Sequence, residues 1–274
     1  MFFFTKMQAT GNDFVILNYL EEKLEYSHKL LAEFLCNRHF GVGADGTLII
    51  EKSNVADFKM RIFNQDGSEA EMCGNGIRCF AKYIYEKGLI HKNEFEIETL
   101  AGIKKIELEV EGNSVVQITV DMGEAVFDFE KIPVISLLAQ NKEKINIDRY
   151  ELYPVSLGNP HAVYFVHNLE ELDLKEIGSK IENYKNFPNK TNVEFVQVIN
   201  ENLIKVRVWE RGVGETLACG TGACAAAIIS NKYKSTNSEL TVELPGGKLK
   251  TKYENGEIKL IGTAEIVFEG KIEI

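Results

Sequence analysis

No apolar run in this 274-residue chain approaches the ~20 residues that a membrane-crossing helix needs. Basic residues are the minority, with 31 Lys and Arg against 41 Asp and Glu, and no basic run stands out. A nucleic-acid role therefore lacks an electrostatic footprint, and the net charge of -10 serves solubility. The opening Met1-Phe2-Phe3-Phe4-Thr5-Lys6 has no charged leader and is too short for a signal segment, so it reads as a first strand. The five cysteines are odd in number and spread along the chain, which predicts reduced thiols in a cytoplasmic protein. No Cys-X-X-Cys is present. The local spacings, Cys-x5-Cys and Cys-x4-Cys without a neighbouring His, do not make a metal site. Neither a Schiff-base lysine nor a phosphate cradle for a pyridoxal group is evident. A metal and an organic cofactor are both expected to be absent.

What the chain does have is a duplicated segment. Glu71-Met72-Cys73-Gly74-Asn75-Gly76 and Leu217-Ala218-Cys219-Gly220-Thr221-Gly222 are near copies. Each precedes an apolar, helix-like run, Ile77 to Tyr85 and Ala223 to Ile229. Both cysteines then sit at helix N-termini, where the macrodipole and free N–H groups favour a thiolate. The Gly-X-Gly that follows is either a tight turn for packing or an anion cradle of backbone N–H groups. Cys36, Cys79 and Cys224 lie inside apolar helical patterns and read as small buried hydrophobes.

Aligning the chain on the two cysteines extends the repeat. Nine residues upstream stand Asn64 and Glu210, each closing an alternating strand. Four residues upstream stand Glu69 and Glu215, and twenty-seven upstream stand Gly46 and Asn192. Gly11-Asn12 and Gly158-Asn159 lead into Phe14–Leu17 and Ala162–Phe165. Helix-like stretches fall at 27–39 and 174–185, and short strands with glycine turns follow each cysteine helix. The predicted fold is α+β. Two pseudo-symmetric duplicated domains, 1–121 and 122–264, each wrap a twisted, mostly antiparallel sheet around a central helix. The last strand, 265–274, is placed back in the first domain.

Gly41-Val42-Gly43-Ala44-Asp45-Gly46 matches a dinucleotide fingerprint in letters only, because it precedes a strand instead of following one. His161, two residues after Asn159, carries the bland reading of a lone structural histidine, although its repeat position draws it toward a cleft. Glu210-Arg211 is either a surface ion pair of little worth or a recogniser of a zwitterion, with Arg taking a carboxylate and Glu an ammonium. Two opposed thiols suit one reaction class. Inverting a carbon means removing a proton from one face and delivering one to the other, which a thiolate and a thiol do together.

These residues carry a family resemblance. Gln8-Ala9-Thr10-Gly11-Asn12-Asp13-Phe14, Phe63-Asn64-Gln65-Asp66-Gly67-Ser68 through Cys79, Gly158-Asn159-Pro160-His161, Thr191-Asn192-Val193-Glu194, Glu210-Arg211-Gly212 through Cys224, and Glu243-Leu244-Pro245-Gly246-Gly247 resemble the diaminopimelate epimerases. The resemblance implies cofactor-independent interconversion of LL- and meso-2,6-diaminopimelate, in lysine and peptidoglycan precursor synthesis. It implies Cys73 and Cys219 as the proton donor and acceptor, and backbone groups of Gly74, Asn75, Gly220 and Thr221 on the reacting carboxylate. Asn12, Asn64, Asn159, Asn192, Glu210 and Arg211 would bind the rest of the substrate, and His161 and Glu210 would tune the thiols. A cytoplasmic homodimer is implied as well. Gly46 stands where some relatives carry a substrate-contacting glutamine, so it is left out of the site. A proline racemase-like isomerase is the alternative enzyme, and a non-catalytic amino-acid-binding module the alternative class.

Overall fold

The structure, a computed structural model, describes residues 2–20, 25–135 and 143–273. Met1 and Ile274, the outer residues of the expected first and last strands, lie outside the described residues. The chain divides into two compact units, Met1–Asp121 with Ile261–Ile274, and Met122–Leu260.

The first unit opens with β1 (Phe2–Ala9) and β2 (Asn12–Asn18), followed by helix α1 (His28–Cys36). Next come β3 (Gly46–Glu51), β4 (Phe58–Asn64), the short β5 (Glu69–Ala70) and helix α2 (Gly74–Glu86). The strands β6 (Glu94–Thr99), β7 (Gly102–Glu111) and β8 (Ser114–Glu124) complete the run. β1 pairs antiparallel with β2, β2 parallel with β3, β3 antiparallel with β4, and β4 parallel with β6. The parallel step from β2 to β3 is the one that carries α1 as its crossover, and the step from β4 to β6 carries α2.

The second unit repeats this wiring. Its elements are β9 (Ile145–Ile147), β10 (Tyr150–Ser156), β11 (Pro160–Phe165), α3 (Leu174–Glu182), β12 (Asn192–Asn200), β13 (Leu203–Glu210), β14 (Gly214–Thr216), α4 (Gly220–Lys234), β15 (Glu239–Leu244), β16 (Gly247–Glu254) and β17 (Glu257–Gly262). β10 pairs antiparallel with β11, β11 parallel with β12, β12 antiparallel with β13, and β13 parallel with β15. The fold is thus α+β and duplicated. The final strand, β18 (Glu265–Ile272), pairs antiparallel with β1 of the first unit.

Each unit is organised around its cysteine-led helix. Every residue of α2 from Gly74 to Ile84 is buried, and so are the residues of α4 from Gly222 to Ser230. A helix covered on all sides sits in a core instead of on a surface. α4 meets this with a run of small residues, Ala223 to Ala227, and two isoleucines. α2 instead buries a cation. Arg78 is fully enclosed and donates to Thr263 O (3.1 Å), Gly74 O (2.9 Å) and Thr10 Oγ1 (2.8 Å). Those bonds satisfy the guanidinium that burial would otherwise penalise.

Two helices end earlier than the periodicity predicts. α1 stops at Cys36, where the Asn37 side chain accepts from the N–H groups of His39 and Phe40 and turns the chain. α3 stops at Glu182, and Asn183 caps it by bonding back to Ser179 O.

Candidate active site

Cys73 is the N-cap of α2, in extended backbone at φ −140° and ψ 121°. Its Sγ accepts from Gly76 N–H at 3.4 Å, the bond a serine or aspartate makes at this position. The thiol is half-buried and lies 3.7 Å from Asn12 Oδ1, at the start of β2. Asn12 Oδ1 also accepts from Asn75 Nδ2 (3.3 Å), while Asn12 Nδ2 donates to Asp45 Oδ2 (2.9 Å). The amide of Asn12 is therefore fixed with its oxygen toward the thiol.

Behind Asp45 stands a charge network. Arg38 bridges Asp45 (2.8 Å) and Asp13 (3.0 Å), and Asp13 pairs with the buried Lys6 at 2.6 Å. Burial pushes the Asp13 carboxyl up, but the bonds from Arg38 and Lys6 outweigh it and hold the pKa down at about 2. Gly74 and Asn75 form the first turn of α2, with N–H groups that a helix start leaves without intrahelical partners. Asn64 closes β4, exposed, and its amide donates to Ser68 Oγ at 3.0 Å. Gly46 faces Asn64 in the strand register, and a Cβ there would meet Phe63 O at 2.9 Å and the Phe14 ring at 3.3 Å. Packing explains this glycine.

Cys219 repeats the arrangement as the N-cap of α4, at φ −121° and ψ 120°, with Sγ accepting from Gly222 N–H at 3.3 Å. Its surroundings differ. Thr221 Oγ1 lies 3.4 Å from Sγ and accepts from Asn159 Nδ2 at 3.3 Å. Asn159 Oδ1 meets His161 Nε2 at 3.0 Å, and His161 Nδ1 meets Glu194 Oε1 at 2.6 Å. His161 and Glu194 are completely buried. The Glu210 carboxyl, at the end of β13, accepts from Thr216 Oγ1 and lies against the Cys219 thiol.

This pole favours the thiol over the thiolate that a helix N-terminus alone would favour. Burial pushes the Cys219 thiol well above its ordinary range, and the neighbouring Glu210 carboxylate pushes the same way. Desolvation and a like charge outweigh the Thr221 and Gly222 donors at the helix start. Burial likewise raises Glu210 and Glu194.

Glu210 and Arg211 take different partners. The guanidinium of Arg211 reaches Asn189 O at 3.4 Å, and its backbone N–H donates to Asn192 Oδ1 at 2.9 Å. Asn192 is buried and spends its Nδ2 on Pro160 O (2.9 Å), so its amide ties the end of β11 to the Arg211 turn. The structure thus gathers Asn12, Asn75 and Gly74 about Cys73, and Asn159, His161, Glu210, Gly220 and Thr221 about Cys219. Asn64, Asn192 and Arg211 are not in either hydrogen-bonded group. Three residues at these poles carried no role in the sequence reading: Asp45, Glu194 and Thr216. A carboxylate inside the apolar strand Asn192–Asn200 was the readable signal for Glu194, since buried charge demands a partner.

None of the five cysteines is joined in a disulfide, and no group of three or more His, Cys, Asp and Glu among the described residues is placed to hold a metal ion. Among the described residues no helix is long and apolar enough to cross a membrane.

Comparisons with known proteins bear on this site. The family model described as diaminopimelate epimerase matches residues 4–128 and 153–267. A protein named diaminopimelate epimerase from Caldanaerobacter subterraneus subsp. tengcongensis is 49% identical over 99% of both chains. One of the same name from Methanococcus maripaludis is 47% identical, again over 99% of both. Among solved structures, a PhzF-family phenazine biosynthesis protein of Bacillus anthracis superposes with a TM-score of 0.71 at 21% identity, over 99% of both chains. A probable proline racemase of Agrobacterium radiobacter superposes with a TM-score of 0.72 at 12% identity, over 100% of this chain and 93% of the other. At those identities the two structures speak for the fold alone.

Proposed function

The chain belongs to the diaminopimelate epimerase family, and from that premise we propose that it interconverts LL- and meso-2,6-diaminopimelate with two cysteines and no cofactor. The observation that carries the reading is the duplicated N-cap. Cys73 and Cys219 hold the same capping bond at the head of the same Gly-X-Gly turn, one in each unit.

In the proposed reaction a thiolate takes the proton from the carbon beside the carboxylate. The electron pair left on that carbon delocalises into the carboxylate, then accepts a proton from the second thiol on the opposite face. The first sulfur ends as a thiol and the second as a thiolate, so the roles exchange with direction. The N–H groups of Gly74, Asn75, Gly220 and Thr221 hold the carboxylate and stabilise its added charge, as paired helix starts do for anions. Burial favours the thiol form of Cys219, which supports Cys73 as the thiolate that starts the reaction. His161 and Glu210 tune the Cys219 pole. Asn12, Asn64, Asn159, Glu210 and Arg211 bind the remainder of the substrate, with Arg211 on the distal carboxylate and Glu210 on an ammonium, and Asn192 contributes through the Arg211 turn that it anchors.

The domain division, 1–121 with the returning 265–274 and 122–264, belongs to this reading, as do the homodimer and the cytoplasmic location that the family resemblance supports. Turnover of LL-diaminopimelate beside proline tests it. Conversion of the first alone is expected, and activity on proline alone overturns it.

A further inference from the structure

We propose that Glu194 is a positioning residue for Cys219, fixing the His161 tautomer and, through Asn159 and Thr221, aiming a hydroxyl proton at the sulfur. The proposal rests on the reading of Cys219 as an acid/base group. It adds a residue four hydrogen bonds removed from the sulfur.

Five groups, Glu194, His161, Asn159, Thr221 and Cys219, form a continuous hydrogen-bonded chain. His161 is fully buried, so both ring nitrogens need partners from the protein. Nε2 faces Asn159 Oδ1 at 3.0 Å, and a carbonyl oxygen only accepts, so the proton sits on Nε2. Nδ1 faces Glu194 Oε1 at 2.6 Å, a separation that requires a proton between the two atoms. The pair therefore holds two protons and is neutral as a unit, whichever atom the second proton rests on. With Asn159 Oδ1 occupied, its Nδ2 is turned to Thr221 Oγ1 at 3.3 Å. Thr221 accepts that bond, which leaves its own O–H free to donate to Cys219 Sγ at 3.4 Å. A hydroxyl aimed at the sulfur stabilises the thiolate that forms when Cys219 gives up its proton.

Move the ring proton from Nε2 to Nδ1 and the order fails. An imidazole protonated on Nδ1 would set a bare Nε2 against the Asn159 oxygen. The amide would have to turn over, presenting its oxygen to Thr221. Thr221 would then donate to Asn159 and stop donating to sulfur. The other titratable groups facing Cys219 are Glu210 from β13 and, through the relay, His161 from β11 and Glu194 from β12. Glu210 is held by Thr216 and is not part of the relay. At the Cys73 pole an asparagine, Asn12, meets the thiol directly. Glu194 Oε2 is buried without a partner, so the carboxyl is engaged through Oε1 alone.

The test compares two variants by a readout independent of turnover. In Glu194→Gln the amide N–H can donate to Nδ1 and keep the tautomer. In Glu194→Leu nothing defines it. Alkylation by iodoacetamide is followed against pH, peptide by peptide, so that Cys73 serves as the internal control. Losing one donor to a thiolate predicts a Cys219 midpoint raised by about one pH unit in Glu194→Leu, with Cys73 unmoved and kcat lowered more than KM is raised. Glu194→Gln is expected to keep both the midpoint and most of kcat. A Cys219 midpoint unchanged in folded Glu194→Leu overturns the proposal, as does Glu194→Gln behaving like Glu194→Leu. Imidazole nitrogen NMR of the unsubstituted protein tests it even if Glu194→Leu does not fold. A protonated Nε2 is expected, and a bare Nε2 refutes the relay. Should Cys219→Ser retain full turnover while the midpoints move as stated, the relay stands and the two-thiol reaction falls.

Discussion

Replacing the third residue of each cysteine-led helix with alanine separates two kinds of glycine. Gly76 and Gly222 hold the same place, three residues after a cysteine N-cap, and neither needs a left-handed backbone. On helix propensity alone, either change to alanine gains about 1 kcal/mol. The surroundings decide otherwise. A Cβ on Gly76 would meet the methyl ends of Ile62 and Leu48, both at 3.3 Å, and Cys73 Cβ at 3.5 Å. Those methyl groups can give by a few tenths of an ångström, which uses up part of the gain. A Cβ on Gly222 would meet Glu194 Oε1 at 2.9 Å, Cys219 Cβ at 3.2 Å and Cys219 Sγ at 3.4 Å. That oxygen cannot retreat, because it is fully buried and tied to His161 at 2.6 Å. Overpacking a fixed site costs roughly 1–3 kcal/mol. The expectation is that Gly76→Ala changes stability by about −0.5 to +1 kcal/mol, and that Gly222→Ala loses up to about 2 kcal/mol net of the propensity gain. Urea unfolding of each variant beside the parent protein measures both. Gly222→Ala should also lose turnover, since the new methyl lies against the sulfur. A Gly222→Ala protein as stable as Gly76→Ala and fully active would refute the rigid Glu194–His161 backing.

Arg78→Met leaves the carbonyls of Gly74 and Thr263 without their donor and is expected to cost about 2–4 kcal/mol in thermal unfolding, with Arg78→Lys recovering part; a neutral outcome would contradict the satisfied-cation account. Asp13 has its folded pKa lowered to about 2, so the stability it adds is present above its unfolded value near 4 and lost as pH falls toward 2. Asp13→Asn should therefore cost ~1–2 kcal/mol at pH 7 once solvent screening is allowed for, and the gap to the parent protein should close on acidification. Alkylation of the native protein at pH 7 should mark Cys73 first, because it is the half-buried thiol, while Cys36, Cys79, Cys219 and Cys224 are buried; early labelling of Cys219 would contradict its burial.

Much of the architecture was legible because duplication writes itself twice. Glycine-flanked cysteines, strand-ending Asn64 and Glu210, and the alternating runs before them recur at fixed offsets, and the two sets of strand pairings follow the same order. Helix ends were less legible: Asn37 and Asn183 stop α1 and α3 with side-chain bonds that hydrophobic periodicity does not register. At the site, two cysteines at glycine-flanked helix starts were legible, and the unequal burial of their thiols was not. A helix N-terminus is visible in letters, whereas the burial and the Glu210 neighbour that raise Cys219 depend on strands that come together only on folding. The same holds for Glu194, two places beyond an asparagine that had drawn the attention, and for Asn192, whose amide goes to the backbone of Pro160 and Arg211.

The most direct test of the central claim is the fate of the proton. LL-diaminopimelate is turned over in deuterium oxide, and label is read at the reacting carbon in substrate and product at the earliest times. Two thiols acting on opposite faces predict meso product that carries solvent deuterium while the recovered LL substrate still carries hydrogen, and they predict that Cys73→Ala and Cys219→Ala each abolish interconversion. Product that retains the original hydrogen, or near-normal turnover in either variant, would contradict it.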